Sequence, residues 1–190
     1  MRFVKTSILA VIITLSGGLA FGQDKRVDLT VGAVEISLLM PTSLQPFSEK
    51  KMALVREKGI AAKCVFNEDK SNLLAVINTF GSGANRKGLT KVGDDIRVGA
   101  EKQGAYKELK RELITINGRK WLRMSFQDES LINDYVITDW AGEYVLINFS
   151  YPIVQPSHKH EVEPSFRSIR LGLIADIETI EPSVRKPSLR

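Results

Sequence analysis

Side chains that could carry chemistry are sparse in this 190-residue chain. The only histidines are His158 and His160, at positions i and i+2. On a helix that spacing turns the two rings about 200° apart. They share a metal only in an extended segment, where Glu161 and Glu163 would complete a weak surface site; surface residues at a helix start are the simpler reading. A Ser-His-Asp system also needs a strained elbow that holds its serine, and no G-x-S-x-G occurs. The acidic pairs Asp94-Asp95 and Asp128-Glu129 are adjacent in sequence, which does not give the facing geometry of a two-carboxylate hydrolase. Cys64, the single cysteine, sits in the apolar run AAKCVF and reads as a small buried hydrophobe. Catalysis is therefore not the expectation, and neither a cofactor nor a metal is expected.

Binding chemistry has better candidates. The stretch from Gly81 to Gly88 (GSGANRKG) is glycine-rich but lacks G-x-x-x-x-G-K-[ST], and Arg86 stands at the third glycine position of G-x-G-x-x-G. It reads as a strand-to-helix loop whose Arg86 and Lys87 offer an anion or partner contact. Trp121 falls on the strand face opposite Leu122, Met124 and Phe126, with Arg119 and Arg123 beside it. Aromatic and arginine side chains together are enriched at binding hot spots, although a helix covering that face would bury them. Trp140 sits at a hairpin end, and the sequon Asn148-Phe149-Ser150 lies in a strand that reads as buried.

The amino terminus sets the compartment. Arg2 and Lys5 precede the apolar run Thr6 to Ser16, and Ala20-Phe21-Gly22 supplies small residues for a peptidase. Residues 1–22 are thus expected to be a cleaved export signal, with Gln23 the first mature residue. The apolar core is shorter than the roughly 20 residues that span a bilayer, so the mature chain is not expected to cross a membrane. A periplasmic or secreted location follows. With one cysteine no internal disulfide can form, and stability must come from an ordinary core.

Charge argues against nucleic acid. The chain has 27 Lys+Arg and 22 Asp+Glu, but Arg2, Lys5, Arg185, Lys186 and Arg190 lie at the two ends, leaving 22 of each sign between 23 and 181. A nucleic-acid binder needs a net basic face. The only local excess runs from Arg86 to Arg111, eight basic residues against four acidic, and reads as a solvated face.

Strand signals dominate the body. Asn117-Gly118 fits a type I′ hairpin turn between LKRELITI and RKWLRMSF. A second hairpin joins Asp134–Trp140 to Glu143–Tyr151 through Ala141-Gly142, and Pro152 ends it. Val34–Met40, Lys63–Asn67 and Leu73–Phe80 complete seven strand candidates. Helices are expected from Ser48 to Lys58 with Gly59 as stop, from a Thr90 cap, and from Ser157, with Pro164 either kinking the last or marking its first turn. The fold class is α+β, a largely antiparallel sheet of about six or seven strands with helices packed on it. One domain spans 23–175, followed by a polar tail over 176–190.

That order of elements, the strand G-x-Y-x-L-x-x-x-x-Y-P from Gly142 to Pro152, and the closing helix ending in Ser168-Ile169-Arg170 resemble the PsbP-like fold family. This fold is shared by the photosystem subunit PsbP, the nuclear Ran-binding Mog protein and the bacterial envelope protein DcrB. The resemblance implies a binding or accessory role and assigns no functional residue here. The leading expectation is a non-enzymatic bacterial envelope protein that binds another envelope protein through an exposed apolar-basic patch. The alternative is a carrier of a small apolar ligand or lipid, with a cavity lined by residues such as Phe66, Phe80 and Phe126. A hydrolase with an unrecognised site is the least favoured.

Overall fold

The computed structural model describes residues 24–57, 62–81, 87–102 and 107–173. The expected export signal over 1–22, the helix stop at Gly59, the loop residues 82–86 with Arg86, and the tail over 176–190 lie outside the described residues.

The core is a seven-stranded antiparallel sheet in the order β3-β4-β5-β9-β8-β7-β6. Its strands are β3 (Gln45–Pro46), β4 (Cys64–Glu68), β5 (Leu73–Gly81), β6 (Lys107–Ile116), β7 (Arg119–Gln127), β8 (Leu131–Trp140) and β9 (Glu143–Pro152). A second, three-stranded antiparallel sheet of β1 (Lys25–Val31), β2 (Val34–Met40) and β10 (Arg170–Leu173) runs in the order β1-β2-β10. Period-two alternation gives each strand of the sandwich an inward row. Val27, Leu29 and Val31, Ile36 and Leu38, Ile77, Ile147 and Phe149 form one continuous buried cluster.

Helix α3 (His158–Ser168) completes the layer over this cluster, inserting Val162 and Phe166. Ser168 anchors it: its hydroxyl accepts the Leu39 N–H at 2.7 Å and donates to the Ser165 carbonyl at 2.8 Å. On the other face of the long sheet, α2 (Leu89–Glu101) packs over β7 and β8 on Leu122, Met124 and Phe126. Gly93 permits that approach, since a Cβ there would stand 2.5 Å from Leu122 Cδ2 and 3.0 Å from Met124 Sδ. Helix α1 (Glu49–Glu57) lies on the same side near β4, with Met52 packed against Val65.

The α+β sandwich and the antiparallel long sheet agree with the sequence reading. Asn117 and Gly118, at φ 48° and 76°, make the expected I′ turn, as do Ala141 and Gly142 at 53° and 80°. Ser48 caps α1, its hydroxyl accepting the Lys51 N–H at 3.3 Å.

Several details differ. Strand β1 precedes the first expected strand. The closing helix stops at Ser168, and Arg170–Leu173 forms β10 on β2 because Ile169 turns extended (ψ 127°) and drops into the core. Helix α2 starts one residue before Thr90 with Gly88 as its N-cap, so Thr90 caps nothing. Pro164 lies inside α3 and does not open it.

Candidate functional site

β6 is the last strand of the long sheet, and its burial pattern shows why it attracts notice. Lys107 to Lys110 are all exposed, and only Ile116 at the far end is buried. The two-residue turn makes Ile116 and Arg119 a mutually hydrogen-bonded pair, so Ile114 opposite Trp121 and Glu112 opposite Arg123 point their backbone groups inward. The N–H and C=O of Arg111, Leu113 and Thr115 consequently face away from the sheet. A register shift between Glu108 and Lys110 places a bulge at Leu109.

Apolar side chains border this edge. Leu113 is 59% exposed and Leu109 43%. Arg111 ties α2 to the strand, its Nη1 2.7 Å from Asp94 and its Nε 3.0 Å from Glu108. The hydrogen bond from Arg111 holds the Asp94 carboxyl below its usual range. Lys110 and Glu112 pair at 2.7 Å. The basic excess found between Arg86 and Arg111 thus maps onto α2 and the first half of β6, largely matched by carboxylates on the same elements.

Behind the edge, between β6 and α3, lies a cleft of about 400 Å³ lined by Lys110, Glu112, Ile114, Arg123, Phe166 and Arg167, among others. Arg123 is buried there, with Nη2 2.7 Å and Nη1 3.2 Å from the two oxygens of Glu163, and its guanidinium lies 5.2 Å from the Phe166 ring. Burial opposes the Arg123 charge, but hydrogen bonding and attraction to Glu163 outweigh it and raise its pKa. The Arg123 hydrogen bond in turn depresses Glu163, with Arg167 contributing at 3.3 Å. This charged knot fixes α3 to the strand beside the open edge.

The candidate residues named from the sequence do not form one site. Arg119, Trp121 and Arg123 share a strand face as expected, but that face turns into the sandwich. Trp121 is 1% exposed and belongs to the main core, so of the two readings the sequence left open the buried one holds and Trp121 is not a surface binding candidate. Arg119 stacks 3.7 Å above Trp140 and donates to the Asp139 carbonyl at 3.3 Å. Trp140 gives its N–H to the Gly172 carbonyl at 3.0 Å and so closes the end of the sandwich. Lys87 is on the α2 side, its ammonium 2.5 Å from Asp95 and its carbonyl accepting the Tyr144 hydroxyl at 2.5 Å. Arg86 is outside the described residues.

Other expectations are settled by burial. His158 is 6% exposed and not a surface residue, its ring nitrogens each 3.0 Å from Glu161 and Gln155. No group of three metal-ligating side chains occurs among the described residues. Asp94 and Asp95 pair with different cations, Arg111 and Lys87. Asp128 is a turn residue, accepting the N–H groups of Ser130 and Leu131. Burial pushes the Cys64 thiol up to about 11, against weaker opposing pulls from Arg56 and Lys63, so it stays protonated and inert near neutral pH. Phe66 and Phe126 lie in clusters on opposite faces of the long sheet, and Phe80 is 37% exposed, so these three line no common cavity.

The open edge itself was not read from the sequence. Its signal was present in KELKREL, where five of seven residues are charged and no period-two face survives.

No family model matches the chain, and no curated protein matches it. Among the described residues, no helix is long and apolar enough to cross a membrane. Solved structures do match. The solution structure of cyanobacterial PsbP (CyanoP) from Synechocystis sp. PCC 6803 superimposes with a TM-score of 0.56 at 16% identity, covering 82% of this chain and 96% of that one. The Ran-binding protein Mog1p of Saccharomyces cerevisiae superimposes with a TM-score of 0.54 at 12% identity, covering 79% of this chain and 96% of its own. At these identities the likeness concerns architecture, and it matches the layers described above: the chain has the PsbP-like fold.

Proposed function

We propose that this chain is an exported, non-enzymatic accessory protein of the bacterial envelope that takes up an extended segment of another envelope protein along β6. The observation that carries this reading is the edge itself: ten residues at the margin of the long sheet, with Leu109 and Leu113 of the strand exposed. An open edge offers main-chain hydrogen bonds to an incoming strand, and alternate side chains supply specificity. Export rests on the charge, apolar run and small residues of the first 22 positions. One structural neighbour is named as a Ran-binding protein, which supports the use of this architecture as a binding scaffold and says nothing of this chain's partner.

Native mass spectrometry of tagged protein, recovered gently from the envelope fraction of its host, tests the reading. The expected result is a stoichiometric protein adduct that Leu113→Pro abolishes while the variant stays folded. An adduct that survives Leu113→Pro moves the partner off the edge. Bare protein overturns the accessory role.

A further inference from the structure

We propose that the segment taken up along β6 runs antiparallel to it and carries an acidic residue opposite Ile114, followed by an apolar residue opposite Leu113. This inference rests on the strand-addition reading above and names the partner chemistry that the edge selects.

Pairing fixes where the side chains of a guest strand go. Ile114 stands opposite Trp121 and Glu112 opposite Arg123, on the α3 face of the sheet, whereas Arg111 and Leu113 stand opposite Met124 and Leu122, on the α2 face. In an antiparallel ladder directly opposed residues share a face. A guest residue that exchanges hydrogen bonds with the outward N–H and C=O of Leu113 therefore lays its side chain on the α2 face, beside a leucine that is 59% exposed. An apolar side chain there takes both groups out of water. The guest residue just before it opposes Ile114 and projects over the cleft between β6 and α3.

Charge in that cleft selects the second residue. Among the described residues its lining holds three cations, Lys110, Arg123 and Arg167, and two carboxylates, Glu112 and Glu163. Lys110 is matched by Glu112 at 2.7 Å, and Arg123 takes both oxygens of Glu163. Arg167 comes to Glu163 as a second cation, at 3.3 Å, and is 78% exposed, so the excess positive charge is its own. Two anchors set its position along the strand. Glu163 is held by Arg123 at the level of Glu112, and the Ile169 carbonyl accepts from Asn117. Arg167, one turn beyond Glu163, falls between them. A guest carboxylate opposite Ile114 would meet Arg167, whereas one opposite Glu112 would face a like charge, which a cross-strand pair penalises.

Two-dimensional amide NMR of the mature protein tests the pattern, titrated with N-acetyl-Thr-Thr-Glu-Val-Thr-Thr-amide and with the same peptide bearing lysine in place of glutamate. Saturable shifts at the amides of Arg111, Leu113 and Thr115 are expected with both. The glutamate peptide should bind about fivefold more tightly at low salt, a margin that shrinks as salt is added. Arg167→Gln, at an exposed position, should bring the two peptides level with the fold untouched. Leu113→Thr should weaken both alike and keep their ratio. Equal or tighter binding of the lysine peptide, or a preference that survives Arg167→Gln, would overturn the acidic residue while strand addition stands. Unchanged affinities in Leu113→Thr would overturn the apolar contact. No saturable shift from either peptide would overturn strand addition itself.

Discussion

At one margin of the seven-stranded sheet the chain lays down two residues, Gln45 and Pro46, and then turns into α1; at the other it lays down ten, Lys107 to Ile116, whose outer side pairs with no strand among the described residues. The first margin carries the usual protections of an edge strand, being short and containing proline, which offers no N–H to a newcomer. The second has no proline. It has a bulge at Leu109 and five charged residues, which also discourage pairing. Those devices sit at its first half. From Leu113 to Ile116 the strand is regular, bears one charge-free run, and points the free backbone groups of Leu113 and Thr115 outward. Protection at one end and a regular, charge-free row at the other is the pattern expected of an edge that selects the partner proposed above.

The sharpest way to break this comparison is to place proline at adjacent positions. Ile114→Pro removes an N–H that pairs with β7 and should cost roughly 3 kcal/mol, seen as a large loss of urea midpoint. Leu113→Pro removes an outward N–H and should cost far less while abolishing strand addition. Equal destabilisation by the two would mean that the register does not set the outward row as described.

The knot behind the edge should respond asymmetrically. Arg123 is more deeply buried than Glu163, with side-chain exposures of 8% and 31%. Glu163→Leu strands a buried cation and should cost about 3 kcal/mol. Arg123→Met leaves a carboxylate that keeps Arg167 and some water, and should cost about 1 kcal/mol. Equilibrium unfolding of the two variants decides it: a larger loss for Arg123→Met would show that the guanidinium's contact with the Phe166 ring matters more than its pairing with Glu163.

The same pair makes a pH prediction. The Glu163 pKa is held down in the folded state, so its contribution is complete above the usual glutamate range and fades as pH falls through the depressed value. The folded protein should therefore lose stability on acidification, and Glu163→Gln should be less stable at neutral pH with a shallower acid slope. On the other side of β6, the Arg111–Asp94 pair is more exposed, at 22% and 44%, and should be weakened by added salt instead. Parallel acid slopes in wild type and Glu163→Gln would remove Glu163 from this account.

Much of the sandwich was legible because its signals are local. Alternating Ile36 and Leu38, the Asn117-Gly118 turn and Pro152 after a long strand specify strands and hairpins without knowledge of what they pack against. β1 is as regular in its Val27, Leu29 and Val31, but follows closely on the residues expected from sequence to be an export signal. β10 was hidden because Phe166 and Ile169 fit a helical period, whereas the deciding event, pairing of Arg170–Leu173 with Val34–Ser37, joins residues over 130 positions apart. Trp121 illustrates the limit for sites. Its strand face was read correctly, but which layer would cover that face depends on where α3 returns, and local sequence does not encode that. The open edge required knowing that β6 is last in the sheet, a property of order and not of any residue.

The smallest expected effect concerns the two I′ turns, which differ as the two margins do. Beside the open edge, Asn117 takes its positive φ readily and also donates to the Ile169 carbonyl at 2.6 Å, tying the β6 hairpin to the start of β10. In the middle of the sheet, Ala141 holds φ 53° with no such side-chain contact. A Cβ in the left-handed region is unfavourable by about 1 kcal/mol for alanine, and asparagine tolerates it better. Ala141→Asn should therefore raise stability by about 0.5–1 kcal/mol and leave partner binding at β6 unchanged, measured by urea midpoint and by the same native mass spectrum. Asn117→Ala should do the reverse on both counts, because it loosens the hairpin that presents the edge. If Ala141→Asn altered partner binding as strongly as Asn117→Ala, the partner would be reading the sheet as a whole and not its β6 margin.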